Sequence, residues 1–368
     1  MFAIVRIRDQ SGKYLKTFQC QCGNTLNFEN SHCLVCDRTV GYLPDEKKLS
    51  ALEPAVDGLW YALSNGRNYR QCKNYSLYNV CNWMVPENDT QAFCVSCRLN
   101  HIIPNLGEAQ NLTLWYRVEQ AKRRLLYTLF NLNIPVVSWE AGPNGMGFEF
   151  LQDDLGQDVF STELTVRQSI ATGHSAGMIT INLLEAEHSL REEMREKMNE
   201  NYRTLLGHFR HESGHYYWDR LISGSDNLAS FRELFGDERL NYSLALQAYY
   251  DQGPPSFWPE VWVSAYASAH PWEDWAETWA HYLHMVDTLE TAQDYDFKIN
   301  VASSAAEVAG QTVTDEFDSM FNDWCRLTSA LNALNRSMGL EDAYPFVISI
   351  TALSKLRYVH RIVTETGG

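Results

Sequence analysis

Apolar residues recur at helical spacing along several stretches of the chain. The clearest stretch covers residues 112–131, where large apolar side chains return every three or four positions, as on the buried face of a helix. Pro135 stops any continuation of this helix. A shorter helix is predicted over residues 242–250. Two or three amphipathic helices, which we interpret as packing support, are predicted over residues 315–364.

Three short apolar runs between these helices are predicted to be β-strands, at residues 136–139, 147–151 and 177–183. A charged helix over residues 188–198 follows them, and a histidine-containing helix begins near residue 201. This order suits a zincin-type catalytic domain, in which an edge strand can pair with an extended peptide. The expected fold class is therefore α+β: a small mixed sheet, an active-site helix and a mainly helical C-terminal part.

The histidine-containing helix carries an HExxH motif, His211-Glu212-Ser213-Gly214-His215. Residues four apart project from one face of a helix, so the imidazoles of His211 and His215 can bind one metal ion. Glu212 lies beside them, where a carboxylate can take a proton from a water molecule that the metal activates. The motif predicts a catalytic zinc site.

A catalytic zinc ion takes three protein ligands and keeps one position open, so a third ligand must come from elsewhere in the chain. Pro271 suits the first turn of a second helix, and Glu273 and Glu277 lie on one face of it. We favour Glu273 as the ligand and Glu277 as the carboxylate that orients a zinc-bound histidine through its free N–H. The reverse assignment is the main alternative. Small residues at Ala276 and Ala280 would let this helix approach another closely.

Other polar side chains near these two helices are candidates for supporting roles. Tyr266 and His270 precede the second helix, and either could donate a hydrogen bond to the oxyanion formed when water attacks a carbonyl. The alternatives are a packed aromatic ring and a loop histidine whose hydrogen bonds are satisfied. His208 could be a ligand, but we favour a packed or hydrogen-bonded histidine. Asp219 could accept a hydrogen bond from a ligand or be a surface charge.

Eight of the nine cysteines lie within the first 97 residues and form two groups of four. In a cytosolic chain such close pairs more often hold zinc than form disulfides. Four thiolates make a closed tetrahedral site, so each group predicts a structural zinc ion. The ninth, Cys325, lies in an apolar helical context and is expected to be a small buried hydrophobe. The first group is Cys20, Cys22, Cys33 and Cys36, and the second is Cys72, Cys81, Cys94 and Cys97.

The net charge of −16 is unevenly distributed along the 368 residues. Residues 1–105 hold eleven Lys and Arg against nine Asp and Glu, whereas the remainder holds nineteen against thirty-seven. The acidic remainder argues against nucleic acid as a substrate, while the near-neutral N-terminal part leaves a binding role open there. The sequence contains no run of about 18 apolar residues, and residues 1–21 lack an apolar signal core. We therefore expect a cytoplasmic protein without a membrane span.

Three domains are predicted from these patterns. Residues 1–50 form an N-terminal zinc ribbon, and residues 51–105 form a second cysteine-rich zinc-binding module with a small aromatic core. Such small modules have little core of their own, so metal binding would supply much of their folding free energy. Residues 106–368 form a zincin-like metallopeptidase domain with a helical C-terminal part.

Eight longer sequence segments can be compared with known families. They are FENSHCLVC, YRQCKNY, CNWMVP, CVSCRLN, AKRRLLYTL, TGHSAGMIT, YRTLLGHFRHESGHYYWDRL and HPWEDWAETWAHYLH. Together they resemble the putative zinc-binding metallopeptidase family, a bacterial group that pairs N-terminal zinc ribbons with a gluzincin-like HExxH domain. The resemblance extends from about residue 18 to at least residue 289.

The resemblance implies specific roles for residues of the motif. By similarity to gluzincins, His211, His215 and Glu273 bind the catalytic zinc ion and Glu212 acts as the general base. In related zincins a tyrosine upstream of that glutamate faces the metal, and Tyr266 is the matching residue here. The implied protein is a metallopeptidase with one catalytic and up to two structural zinc ions.

Two functions of different classes remain in view. The first is a zinc-dependent peptidase that acts on a peptide or protein substrate. The second is an adaptor, in which the zinc ribbons bind a protein partner or nucleic acid and the HExxH domain is silent or regulatory. A silent site has no chemical need for Glu212, so its presence favours the peptidase. Three zinc ions per chain would favour the peptidase, and two would favour the adaptor.

Overall fold

A computed structural model describes residues 17–152, 172–189, 191–192, 204–297 and 315–367 of the chain. These residues form both helices and β-sheets, which confirms the mixed composition expected from the sequence. The chain divides into two compact units. The sheet unit comprises the described parts of Phe18–Tyr127 and Val136–Glu212. The helical unit comprises Thr17, Thr128–Pro135 and the described part of Ser213–Gly368.

The N-terminal half of the sheet unit contains a two-stranded ribbon and a five-stranded antiparallel meander. In the meander each strand pairs with the next along the chain. Short connections join the first four strands, and a longer segment with a short helix joins the last two. The predicted domain boundary at residue 50 falls inside its second strand, β4, so that strand holds residues from both predicted modules. The ribbon strands are β1 (Thr17–Gln19) and β2 (Thr25–Asn27), and the meander strands are β3 (Thr39–Leu43), β4 (Lys48–Pro54), β5 (Trp60–Ala62), β6 (Arg67–Gln71) and β7 (Met84–Pro86).

Aromatic rings join this half to a long helix, α2 (Asn111–Asn131), which follows the short helix α1 (Lys73–Tyr78). The ring of Tyr42 lies 4.7 Å from that of Trp83 and 5.1 Å from that of Phe28. Phe28 also contacts Tyr127 of α2, with ring centroids 5.0 Å apart. The predicted helix over 112–131 is confirmed, and its apolar face packs against the cysteine-rich modules.

A second sheet of four short strands lies in the same unit, in the order β10, β11, β9, β8. Strands β8 and β11 both run parallel to β9, and β10 forms an antiparallel hairpin with β11. The predictions over 147–151 and 177–183 are confirmed, and β8 was not predicted. The strands are β8 (Asn100–Ile102), β9 (Gly147–Leu151), β10 (Gly173–Ser175) and β11 (Met178–Asn182).

The strand predicted over residues 136–139 is wrong. Only Ser138 pairs, in an isolated bridge with Met146, and a single 3-10 turn follows over Trp139–Ala141. The Ser138 hydroxyl accepts a hydrogen bond from the backbone N–H of Glu140, so its side chain caps the turn and ends the extended conformation.

The remaining described helices follow the second sheet. The predicted start near residue 201 and most of the predicted helix over 188–198 lie outside the described residues. The predicted helix over 242–250 is confirmed, and two helices occupy the C-terminal stretch where two or three were expected. Their bounds are α3 (Leu205–Leu221), α4 (Leu228–Phe235), α5 (Tyr242–Gln252), α6 (Trp258–Val261), α7 (Pro271–Asp294), α8 (Glu316–Ser337) and α9 (Ile350–Gly367).

A buried ion pair ties α9 to α7 inside the helical unit. The ammonium of Lys355 lies 2.6 Å from a carboxylate oxygen of Asp274 and also donates to the carbonyl of Val261 at 3.1 Å. Both charged side chains are fully enclosed. Burial raises the pKa of Asp274 to about 7, and the ammonium of Lys355 opposes that rise.

The prediction that Cys325 is buried is wrong, because its side chain is exposed. The buried residues of α8 recur every three or four positions and include Met320, Trp324 and Leu327. Cys325 is turned by about 100° from Trp324 and therefore leaves this apolar stripe.

Candidate metal centres

Helix α3 carries the HExxH motif in the geometry that its spacing predicts. His211 and His215 lie one turn apart on this continuous helix, and His215 is almost completely buried. Its ring lies 3.9 Å from that of Trp272 at the start of α7. Tight packing of this kind restricts the imidazole to one orientation, which a metal ligand requires.

Close contact between α3 and α7 depends on the glycine inside the motif. A Cβ atom added to Gly214 would lie 2.9 Å from the Cα atom and 3.2 Å from the carbonyl oxygen of Ala276. The expectation that Ala276 permits close approach is therefore supported. Trp275 donates from its indole to the Gly214 carbonyl at 2.8 Å, and Trp279 donates to the Ser213 hydroxyl at 3.1 Å. These bonds fix the register of the two helices.

This register brings Glu273 to the histidine pair. One ligand atom from each of His211, His215 and Glu273 can be chosen so that all three lie within 4.8 Å of one another. The Glu273 Oε2 and His215 Nε2 atoms are 3.5 Å apart, and both side chains are buried. Glu277 is not part of this group, and it accepts a hydrogen bond from the Ser264 hydroxyl at 2.6 Å.

The three side chains suit a zinc ion. Two ligand atoms bonded to zinc at about 2.0–2.1 Å in tetrahedral geometry lie roughly 3.3–3.4 Å apart, close to the Glu273–His215 separation. Glu212 is also buried, and its Oε2 atom has no hydrogen-bond partner among the described residues. A buried carboxylate oxygen without a partner is costly, and a water molecule beside a metal would satisfy it.

Tyr242 is a residue of this centre that the sequence did not reveal. Its hydroxyl donates to Glu273 Oε1 at 2.6 Å, so the two carboxylate oxygens of Glu273 have different neighbours. Tyr242 lies 31 residues before Glu273, and no local spacing rule connects them. The only local signal is Asn241, whose side chain caps α5 and thereby makes Tyr242 the first helical residue.

Tyr266 and His270 have different surroundings. Burial raises the pKa of Tyr266 well above its ordinary value, and the charge of Glu273 contributes, so its phenol is a neutral donor near the carboxylate. His270 instead caps α7: Nδ1 accepts from the Trp272 N–H at 3.1 Å, and Nε2 contacts the Leu240 carbonyl at 3.1 Å. Both ring nitrogens are therefore engaged, which matches the alternative of a loop histidine whose hydrogen bonds are satisfied.

Two further polar residues of α3 lie outside the histidine–glutamate group. His208 contacts the carboxylate of Glu185 through Nδ1, which matches the favoured interpretation of a hydrogen-bonded histidine. Asp219, one turn after His215, has an exposed side chain near the end of the helix.

The first cysteine group converges as predicted. Cys20 and Cys36 have sulfurs 3.6 Å apart, and Cys22 and Cys33 have sulfurs 3.7 Å apart. Sulfurs bonded to one zinc ion at about 2.3 Å in tetrahedral geometry would be roughly 3.8 Å apart, so the set fits zinc. Backbone N–H groups of Cys36 and Val35 point at the Cys33 sulfur and lower the pKa of that thiol to about 6, which favours the thiolate.

The second cysteine group is more deeply enclosed, because all four of its side chains are buried. Cys81 and Cys94 have sulfurs 3.8 Å apart, and the Cys94 N–H donates to the Cys72 sulfur at 3.4 Å. The group of four is Cys72, Cys81, Cys94 and Cys97.

A buried guanidinium from α2 lies near this second group. Burial alone would lower the pKa of Arg123, but the negative charges of Cys81 and Glu119 outweigh it and raise that pKa. Arg123 also donates to the Val80 carbonyl at 2.6 Å, one residue before Cys81. A zinc ion with four thiolates carries a net charge of about −2. The guanidinium therefore offsets part of a charge that would otherwise be costly to bury.

Two cysteine sets with tetrahedral spacing and a histidine–glutamate set define a zinc-binding protein with three candidate centres among its described residues. The chain belongs to the putative zinc-binding metallo-peptidase family, whose model matches residues 111–362. A zinc-ribbon domain model matches residues 17–108. These matches confirm the family indicated by the sequence motifs.

Related proteins align with nearly the whole chain. Proteins of Mycobacterium bovis and of two strains of Mycobacterium tuberculosis are each 39% identical to it over 354 residues. The alignment covers 95% of this chain and 96% of each relative, and each relative is named as an uncharacterized protein. No solved structure matches the chain significantly. Among the described residues, every helix is too short or too polar to cross a lipid bilayer.

Proposed function

We propose that the protein is a gluzincin-like zinc peptidase that hydrolyses peptide bonds. His211, His215 and Glu273 would hold the catalytic zinc ion, and Glu212 would be the general base. The observation that carries this proposal is the grouping of the three ligand atoms on packed helices, next in sequence to a buried carboxylate. The family description supports a peptidase in general terms.

The chemistry follows from what each side chain can do. Zinc held at this centre would supply a Lewis acid that makes water nucleophilic near neutral pH. Glu212 would take a proton from the attacking water through its Oε2 atom, which has no other partner among the described residues. The same carboxyl group would then give the proton to the departing amine. Glu212 is buried, which would limit the access of bulk water during this transfer.

Tyr266 is the candidate donor to the oxyanion of the tetrahedral intermediate. Its phenol is protonated at neutral pH, as a hydrogen-bond donor must be, and burial raises its pKa further above that range. Glu277 would act indirectly, by fixing the conformation of residues 264–267. It accepts a hydrogen bond from the Ser264 hydroxyl, which itself accepts a hydrogen bond from the Ala267 N–H at 3.2 Å. A single donor to the oxyanion, the role proposed for Tyr266, typically contributes about 100-fold or more to the rate.

The cysteine centres complete the proposal. We propose that residues 1–50 and 51–105 each contribute one structural zinc centre and that residues 106–368 form a zincin-like catalytic domain. Eight thiols arranged for metal binding suit the reducing cytoplasm. The substrate would be a peptide or protein, and the ribbons offer a surface for a protein partner.

Replacing Glu212 by Gln tests the mechanism. The amide cannot accept a proton, so turnover should fall by about 100-fold or more while zinc content stays at three ions per chain. Turnover would be measured on peptides whose cut sites have been mapped with the wild-type protein, and zinc by elemental analysis. Glu233→Gln makes the same change at an exposed position on α4 and should leave both values unchanged.

The adaptor hypothesis gives a different result in the same measurements. It predicts two zinc ions per chain, a number that Glu273→Ala does not change. The peptidase proposal predicts three, of which Glu273→Ala removes one. A Glu212→Gln protein that cleaves as fast as wild type would refute the assigned base even if three zinc ions are found.

A further inference from the structure

We infer that Tyr242 is a positioning residue, which orients Glu273 for metal binding. The inference rests on the proposed function in that it takes Glu273 as a zinc ligand. The Tyr242 hydroxyl lies 2.6 Å from Glu273 Oε1, while Glu273 Oε2 lies 3.5 Å from His215 Nε2. One oxygen is thus held by the phenol, and the other faces the histidine.

The different neighbours of the two Glu273 oxygens have a physical consequence. A hydrogen bond from a neutral phenol to a carboxylate is short and strong, and it restricts rotation of the carboxylate about its terminal torsion. Rotational freedom that remains in Glu273 is lost when zinc binds, and that entropy cost weakens affinity. A partner that orders the carboxylate beforehand reduces the cost, as outer hydrogen bonds to metal ligands commonly do.

The structure holds Tyr242 in place from several directions. The Asn241 side chain accepts from the Leu244 N–H at 3.0 Å, which fixes the first turn of α5. His270 contacts the Leu240 carbonyl, two residues before the tyrosine. The Tyr242 ring packs edge-on against the rings of His270 and Trp272, at centroid distances of 5.3 and 5.6 Å.

These contacts give His270 two structural roles. It caps the helix that carries Glu273 and also holds the segment that carries Tyr242. No residue of α5 is fully buried, so contacts with neighbouring segments, including the one through His270, place the phenol. The link through His270 therefore matters more for Tyr242 than it would for a residue in a packed core.

Removing only the hydroxyl tests the inference. Tyr242→Phe keeps the ring and its aromatic contacts, and zinc affinity at the histidine–glutamate centre should fall about 10-fold to 100-fold. Affinity would be measured by competition with a chelator after the cysteine centres are loaded. The visible absorption of Co²⁺ placed in the centre should also change, because the ligand geometry relaxes. Tyr250→Phe, on the exposed face of the same helix, should match wild type in both measurements.

A double-mutant cycle separates action through Glu273 from a general effect. Glu273→Asp keeps a carboxylate but withdraws it from the phenol because the side chain is shorter. In that background Tyr242→Phe should change zinc affinity by less than about 2-fold, since the bond it removes is already lost. A full loss in both backgrounds would show that Tyr242 does not act through Glu273.

The remaining outcomes are also decisive. Unchanged affinity and an unchanged Co²⁺ spectrum in Tyr242→Phe would overturn the inference. Loss of zinc from the cysteine centres, or a lowered melting temperature without a selective change at the third centre, would assign Tyr242 a structural role instead. If wild type itself binds only two zinc ions, the proposed function fails. If wild type binds three and Tyr242→Phe is indistinguishable from it, only the present inference fails.

Discussion

The cysteine centres and the histidine–glutamate centre are built in opposite ways. Each cysteine centre takes its four ligands from a short stretch of chain, residues 20–36 or 72–97, and backbone N–H groups point at the sulfurs. The third centre joins residues 58 positions apart, His215 and Glu273, through the packing of two long helices. Local turns shape the first kind of site, and tertiary structure shapes the second.

The two kinds of centre therefore differ in what stabilises them. Zinc bound by thiolates on short loops contributes directly to the folding free energy of the modules that hold it. The helices α3 and α7 are already held by two indole hydrogen bonds and by the close approach at Gly214. We therefore expect metal loss to unfold the cysteine modules and to leave the third centre nearly intact.

The largest effect is expected from Cys94→Ser. All four ligands of its centre are buried, and structural zinc contributes about 10–16 kcal/mol in small domains, so losing one thiolate should remove the ion and unfold residues around it. Arg123 would be left buried without the thiolate charges that favour it. The expected result is one zinc ion fewer and loss of a cooperative thermal transition, measured by elemental analysis and calorimetry.

A matched change in the first centre sharpens the comparison. Cys36 is only partly buried, and Cys22 is exposed. Cys36→Ser should also lose one zinc ion, but the fall in melting temperature should be smaller than for Cys94→Ser. Equal melting temperatures for Cys94→Ser and wild type would contradict the view that zinc stabilises the second module.

The next largest effect is expected from Lys355→Met in the helical unit. The change leaves the Asp274 carboxyl group buried without its ion-pair partner, which typically costs about 3–5 kcal/mol. Asp274 is next in sequence to Glu273, so the third zinc ion should be lost as the helical unit loosens. The cysteine centres should keep their two ions, since their ligands all belong to the sheet unit.

Adding Asp274→Leu provides the control, because a buried ion pair replaced by apolar residues is often neutral in stability. The double variant should recover most of the melting temperature in thermal denaturation. A loss of cysteine-bound zinc in Lys355→Met would contradict the separation between the two kinds of centre.

The same contrast explains what the sequence could and could not predict. The cysteine groups and the pair His211 and His215 follow from spacing alone, because local geometry decides them. Glu273 was identified from its helix and from a family resemblance. Tyr242 was missed, and the two hydrogen bonds of His270 could not be assigned, because both depend on which segments meet in three dimensions.

Sequence-based prediction of strand β8 and of the burial of Cys325 failed for a related reason. Strand β8 has only three residues and no alternation long enough to detect, and it forms because β9 lies beside it. Cys325 was expected in the core because its neighbours are apolar, but one position on a helix separates the buried stripe from solvent. Hydrophobic periodicity predicted the positions of the long helices correctly. It predicted the burial of individual residues, such as Cys325, less accurately.

The smallest effect is expected from Gly214→Ala, which tests whether helix packing sets the third centre. Alanine is favoured over glycine in a helix by about 1 kcal/mol, but its Cβ atom would lie 2.9 Å from backbone of α7. Backbone cannot yield as a flexible side chain does, so overpacking of about 1–3 kcal/mol should exceed that gain. We expect a lower melting temperature and weaker binding of the third zinc ion, measured by calorimetry and chelator competition. Gly173→Ala, where an added Cβ meets nothing within 4 Å, should leave zinc affinity unchanged. If Gly214→Ala instead raises the melting temperature and keeps zinc affinity, α3 and α7 do not need their close approach, and the third centre would have to be explained by its ligands alone.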